Sequence, residues 1–478
     1  MNTRRRFIGQ CCAAVGYTGM ASTLSSLRAT AAAASIPSGP VTPPRGAAVA
    51  SDYKALVCIF LNGGNDSSNL LIPYDTSGYS SYTKARTILA LPKTNLLPIA
   101  PRTSDGRAFA LHPSVGELNS LFASGKLALL ANVGTLVYPT SKSQFSANSV
   151  PLPPQLFSHN DQQVQWQSSV PDQPFKTGWG GRTADLLNSF NPNPQVSMSM
   201  SLDGFNSFQV GNTVTQLAVQ RSSGATSKGG PIAWAAAGST ATATQRFQAQ
   251  KDLFAAQQNN LFAAAFGALT ADAIGDSELL TSALTASPTF ATTFPETTLA
   301  NQLKTIAYLI SISSTLNLKR QVFFARLGGW DTHADQVDGT GTGSVTGAHA
   351  DLLAQVSQAM RSFYTTTVEL GIANQVTTFT ASDFGRTFTS NGDGSDHGWG
   401  GHQMVMGGAV KGGDIYGKMP SPQVDGPDDT GRGRWIPTTS VDEYRATLAR
   451  WFGVSDTNLS IAFPNIGRFA KPNLGFMG

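Results

Sequence analysis

Three of the six histidines in this 478-residue chain lie in two short glycine-rich segments, Gly329-Trp330-Asp331-Thr332-His333 and Asp396-His397-Gly398-Trp399-Gly400-Gly401-His402. Charged residues make up only 13% of the chain, so Asp placed beside His twice in such loops is more than composition produces. Carboxylate oxygens and imidazole nitrogens together suit zinc, manganese, iron or magnesium, and a metal site is the first chemistry these segments suggest. Asp331 and His333 are two residues apart and converge on one ion only where the backbone curls, which Gly328 and Gly329 make easier. Asp396, His397 and His402 offer three donors within seven residues. The competing readings are a turn aspartate beside a surface histidine, and a glycine loop with incidental histidines.

Other residues are candidates by position. Asp66 follows Asn62-Gly63-Gly64-Asn65 and could be a ligand or ordinary turn chemistry. Asp383 closes an apolar run, and Arg386, three residues on, could neutralise an anionic substrate or pair with Asp383. Ser158-His159-Asn160-Asp161 sets a hydroxyl beside a base, although a serine where a helix starts is more often a cap. His112 reads as a packing or loop histidine and His349, at a helix start, as exposed. No Gly-x-Ser-x-Gly elbow, phosphate-binding Gly-Lys-Ser/Thr loop or His-Glu-x-x-His helix is present.

The elements that must position these residues alternate. Ala55 to Leu61 is a continuous apolar run, as in a parallel strand buried on both faces. Leu299, Leu303, Ile306 and Ile310 keep helical spacing before a strand over 321–327. Leu352, Leu353, Val356, Met360 and Phe363 mark the next helix, before a strand over 375–381. This is βαβ order, and in such sheets ligand sites gather at the carboxyl edge, where Asp66, Asp331, His333 and Asp383 should meet. Residues 190–295, rich in Ala, Ser and Thr with a helical stretch from Thr244 to Phe266, read as an insertion or cap. Ser440 and Glu443 have capping-box spacing before an amphipathic helix that reaches Trp451.

The amino terminus, Thr3-Arg4-Arg5-Arg6-Phe7-Ile8 followed by a weakly apolar stretch and small residues, describes a twin-arginine export signal over residues 1–34. Residues 35–50 read as a linker and 51–478 as the main domain. The apolar stretch falls short of the ~20 residues that a membrane span needs. Removing residues 1–34 removes four arginines and no acid, which takes the formal charge from +4 to zero. A neutral mature chain gives no global case for nucleic acid or an anionic membrane as partner. Cys11 and Cys12 lie in the signal, leaving Cys58 without a partner for a disulfide.

With Gly-Gly-Asn-Asp at 63–66, Ser-His at 158–159, Gly-Gly-Trp-Asp-Thr-His at 328–333, Ser-Asp-Phe-Gly-Arg-Thr at 382–387 and Asp-His-Gly at 396–398, the chain resembles the bacterial family labelled domain of unknown function 1501, grouped with the alkaline phosphatase and sulfatase superfamily. The resemblance implies a doubly wound, mostly parallel α/β sheet of alkaline-phosphatase type and two divalent ions, zinc, manganese, iron, magnesium or calcium, at its carboxyl edge. By similarity Asp66 is the early ligand, Asp331 and His333 hold one metal, Asp383 or Asp396 with His397 holds the other, and His402 completes the set. Ser158 is the nucleophile candidate by similarity, with Ser67 and Ser68 as alternatives. The chain departs from that pattern where Phe384 follows Asp383, and it lacks the sulfatase Cys-x-Pro-x-Arg signature. These readings lead to a periplasmic or secreted metal-dependent hydrolase of phosphate or sulfate esters, passed folded through the twin-arginine translocase. The second reading is a non-catalytic secreted or surface-associated binding protein that keeps the fold.

Overall fold

The computed structural model describes residues 52–223, 227–231, 241–256, 260–339 and 343–478. The export signal and linker expected over 1–50 lie outside the described residues.

In chain order, the elements that matter for the site are β1 (Lys54–Leu61), α1 (Thr76–Arg86), α2 (Gly116–Ala123), β2 (Leu127–Gly134), α3 (His159–Ser168), α4 (Trp179–Leu187), β3 (Ser199–Ser201), β4 (Gln216–Gln220), α5 (Ala241–Ala255), α6 (Leu261–Thr285), α7 (Thr298–Ser311), β5 (Arg320–Leu327), α8 (Ala348–Glu369), β6 (Val376–Ser382), β7 (Arg386–Ser390), β8 (Ser395–His397), β9 (Gly401–Gly407) and α9 (Val441–Phe452). The central sheet is mixed and mainly parallel, running β2-β9-β6-β1-β5-β3-β4. Its β9 pairs antiparallel to both β6 and β2. Every residue of β1 from Ala55 to Leu61 is buried, as a strand covered on both faces requires. The helices α2 and α7 both pack on α8, with α7 also against β5, while α3, α4 and α9 cover β6, β5 and β1. The apolar stripe of α7, Leu299, Leu303, Ile306 and Ile310, is wholly buried, and so is that of α8 from Leu353 through Phe363. Ser440 and Glu443 form the expected capping box of α9.

Two expectations need correction. The segment 190–295 is not only an insertion over the core, because its β3 pairs parallel to β5 and its β4 extends the sheet beyond it. The helix expected over 244–266 is two helices, since the Asn260 side chain accepts from the Phe262 and Ala263 amides and so starts α6 anew.

The register decides where the site is. Leu61 of β1 lies level with Leu327 of β5 on one side and Ser382 of β6 on the other. Three loops, 62–66, 328–333 and 383–385, therefore leave the sheet side by side. They touch through backbone. Gly63 has φ +123°, and a Cβ there would stand 2.4 Å from the Asp331 amide nitrogen. Gly64, at φ +85°, makes room for the Phe384 ring in the same way.

Gly63→Ala is expected to cost about 2 kcal/mol or more, as strained backbone and a forced loop displacement add. A lower urea midpoint would show it. Gly106→Ala is the comparison: φ is also positive, at +87°, but nothing lies within 4 Å, so its loss should be clearly smaller.

Candidate metal centre

Asp331 stands at the middle of the candidate site, on the loop after β5. Its Oδ1 lies 3.2 Å from His333 Nε2 and 3.3 Å from His397 Nε2, and its Oδ2 lies 3.4 Å from His159 Nε2. Donor atoms of His159, Asp331 and His397 all fall within 4.8 Å of one another. His333 adds a fourth donor, its Nε2 only 2.8 Å from that of His397.

The partners on the far side of each ring set its tautomer. His397 Nδ1 is 2.7 Å from the Phe157 carbonyl, which can only accept, so Nδ1 carries the proton. His159 Nδ1 is 2.7 Å from Asp383 Oδ2, and His333 Nδ1 is 3.1 Å from Asp396 Oδ1. Each carboxylate accepts a hydrogen bond from Nδ1–H, and in the neutral rings all three Nε2 lone pairs face Asp331. Lone pairs 2.8 Å apart repel unless a proton or a cation stands among them. His159 Nε2 is also shielded from solvent without a hydrogen-bond partner among the described residues. Three oriented imidazoles and one carboxylate, each ring held from behind by an acceptor, are the donor chemistry of a divalent transition ion. The residues present fit a metal.

The electrostatics agree. Burial pushes the Asp331 carboxyl upward, but the hydrogen bond and charge of Arg386, with His159 and His333 nearby, outweigh it and hold it below the usual range. The Asp383 hydrogen bond outweighs burial at His159 and raises it. Burial lowers His397, helped by the positive charges of His159 and Arg386. Phe384 packs against two of the rings, 4.9 Å from the His159 centroid and 4.5 Å from that of His397. The side chains of Asp331 and His333 are 46% and 44% exposed, so the centre is open to solvent.

The remaining candidates serve in other places. Asp383 is fully buried and accepts from the Gly63 amide and from Gln163 as well as facing His159, so it sits behind a ring. Asp396 likewise backs His333 and is ion-paired to Arg432. Arg386 does not pair with Asp383. Its Nη1 donates to Asp331 Oδ1 at 2.7 Å and to the Gly63 carbonyl, and Nε and Nη2 bond the Ser395 carbonyl. Asp66 is buried in an ion pair with Arg86 and accepts from Gln336 at 2.5 Å, away from the imidazoles. His402 lies in β9 with its Nδ1 accepting from the Asn132 amide, and burial pushes it down to about 4. Ser158 Oγ donates to Asp161 at 2.6 Å. Ser67 Oγ accepts from the His402 amide, and Ser68 is buried. His349 is buried rather than exposed, with Nε2 3.1 Å from Asn65 Oδ1, because α8 begins against the 62–66 loop.

Sequence reasoning noted His159 as a base beside a serine and passed over it as a ligand. Its signal was one histidine at the start of a glutamine-rich helix.

A family model described as protein of unknown function (DUF1501) matches residues 53–461. The chain belongs to the DUF1501 family. No curated protein matches it. Among solved structures it is similar to the PsFucS1 sulfatase from Pseudoalteromonas sp., at 10% identity over 85% of this chain and 68% of that one, with a TM-score of 0.34. It is similar to the C-terminal periplasmic domain of EcEptC from Escherichia coli, solved with zinc, at 11% identity over 89% and 91%, with a TM-score of 0.35. The lipoteichoic acid synthase LtaP from Listeria monocytogenes follows at 9% identity over 86% and 76%, with a TM-score of 0.30. Likenesses this distant carry no argument about chemistry, which rests on the side chains of this DUF1501 chain.

Asp383→Asn removes the charge behind His159 while keeping the shape. Zinc affinity, measured by competition with a chromophoric chelator, is expected to fall tenfold to a hundredfold, the usual range for such supporting groups. The far-ultraviolet spectrum should stay native but the melt should fall, because the new NH2 meets a donor that Asp383 accepts from.

Proposed function

We propose that this chain is an exported metal-dependent hydrolase of anionic esters, phosphate or sulfate, built around one divalent ion held by His159, Asp331, His333 and His397. The observation that carries the reading is the convergence of three Nε2 lone pairs on one carboxylate, each ring turned by an acceptor bound to its Nδ1. Such an ion supplies Lewis acidity to an ester oxygen and lowers the pKa of water toward neutrality.

The chain's own groups do the rest. Asp383, Asp396 and the Phe157 carbonyl hold the imidazoles in one tautomer and orientation. Arg386, wholly buried, fixes Asp331. Arg432 is half-exposed at the rim, where its donors beyond the Asp396 pair are available to an anionic ester. Among the described residues no serine or threonine hydroxyl bonds to His159, His333 or His397, which favours water over Ser158 as the nucleophile. A second ion of the alkaline-phosphatase kind is not part of this reading, because Asp66 is wholly buried against Arg86 and Phe384 occupies the position after Asp383.

Export rests on the sequence of residues 1–34, and no helix among the described residues is long and apolar enough to cross a membrane. The neutral mature chain speaks for a small or polymeric ester substrate rather than nucleic acid.

The mature protein is expected to hold close to one ion per chain by elemental analysis and to hydrolyse 4-nitrophenyl phosphate or sulfate. His397→Ala should abolish turnover and most of the metal. Metal retained without turnover on any ester would leave a binding protein instead, and no retained metal would sink the reading. Changing Arg4 and Arg5 to Lys together should leave the uncleaved precursor in the cytoplasm, seen by fractionation, and unchanged processing would refute twin-arginine export.

A further inference from the structure

A cavity of about 190 Å³ opens beside the metal centre, below the roughly 300 Å³ at which pockets begin to hold drug-sized ligands, and so fit for one small ring. Its wall is continuous with the centre. Gln163, on the cavity, donates to Asp383 Oδ2 at 2.9 Å, and Asp383 holds His159 one helical turn before it. Asn62, also on the cavity, opens the loop whose Gly63 amide binds Asp383, and its carbonyl accepts from Trp330, the residue before Asp331.

The lining is polar and balanced in charge. Arg326 and Asp203 are ion-paired with each other, so the cavity presents no net charge. The amides are different. Among the described residues nothing takes up the side-chain amide of Asn62 or the Oε1 of Gln163. Gln167 accepts from the Phe208 amide through Oε1 and leaves its NH2 donors unused. Donors and acceptors are thus presented together, as hydroxyl groups, which both give and take, require. An anion would want uncompensated cations and a lipid an apolar wall. Phe205 stands at the mouth, 82% exposed, an uncommon place for a phenyl ring. Its electron-rich face suits the weakly positive C–H face of a saturated sugar ring.

We propose that this cavity is a subsite for an uncharged, hydroxyl-rich glycosyl ring, which makes the substrate class an esterified carbohydrate. The assignment of the ester rests on the hydrolase reading above; the ring subsite does not.

Two measurements on the mature, metal-loaded protein separate the two. Saturation-transfer NMR with methyl galactoside and methyl glucoside reads ring binding without turnover, and kcat/KM for 6-sulfated and 6-phosphorylated hexoses against the 4-nitrophenyl esters reads preference. We expect saturation transfer from the wild type to at least one glycoside, and its loss in Phe205→Ala and in Asn62→Ala. We also expect the preference for hexose esters over nitrophenyl esters to fall at least fivefold in each variant. Glycoside binding that depends on Phe205 with no ester turned over would support the subsite and sink the hydrolase. Ester turnover with no glycoside signal, or with a preference that both variants leave in place, overturns the subsite.

Discussion

The buried carboxylate of Asp383 is the constraint on which the rest of the site depends. It stands at the carboxyl end of β6 with no exposure to solvent, and a charge there persists only if its oxygens are bonded. One oxygen accepts from Gly63 on the loop after β1. The other takes His159 Nδ1 and Gln163 Nε2, both from α3. One side chain thus ties a sheet loop to a helix and turns the His159 ring so that its lone pair faces Asp331. The cavity wall follows from the same contact, because Gln163 belongs to both.

Behind the centre lies a second buried network. Arg86 of α1 pairs with Asp66, Asp66 accepts from Gln336, and Gln336 Oε1 accepts from Ser395 and Thr332. Thr332 separates Asp331 from His333, and Ser395 precedes Asp396. Asp66 and Asp331 each pair with a buried guanidinium, but Asp66 has no exposure to solvent while Asp331 is 46% exposed, so only Asp331 is open to a further partner. Arg386 performs a related task from the other side, joining Asp331 to the carbonyls of Gly63 and Ser395. The side chains of the 328–333 and 395–397 segments are therefore placed by two buried arginines.

Much of this is legible in the sequence. The three apolar strands and the helices between them follow from periodicity, because burial on two faces leaves a continuous apolar run and burial on one leaves a stripe. Asp331, His333 and His397 stood out as Asp and His packed into glycine loops, and they come together. Asp396 stood out for the same reason but backs a ring. His402 shared a segment with His397, yet the chain enters β9 at Gly401 and carries it away to the Asn132 amide. His159 had little signal, being distant in sequence and flanked by polar residues that suit any exposed helix start.

The sequence by itself determined the alternation of strands and helices and the supply of imidazoles and carboxylates at loop ends, since both follow from local composition and spacing. Only the tertiary structure decided which donors share one centre. Parallel register sets Leu61, Leu327 and Ser382 level, and that alignment brings residues hundreds of positions apart within hydrogen-bonding distance. Which nitrogen of each histidine faces inward depends on an acceptor supplied by another segment, and which aspartate stays open depends on how deeply the fold buries it. Pairings between distant segments leave no trace in local spacing, so the same residue types can read as ligand, support or core until the fold assigns them.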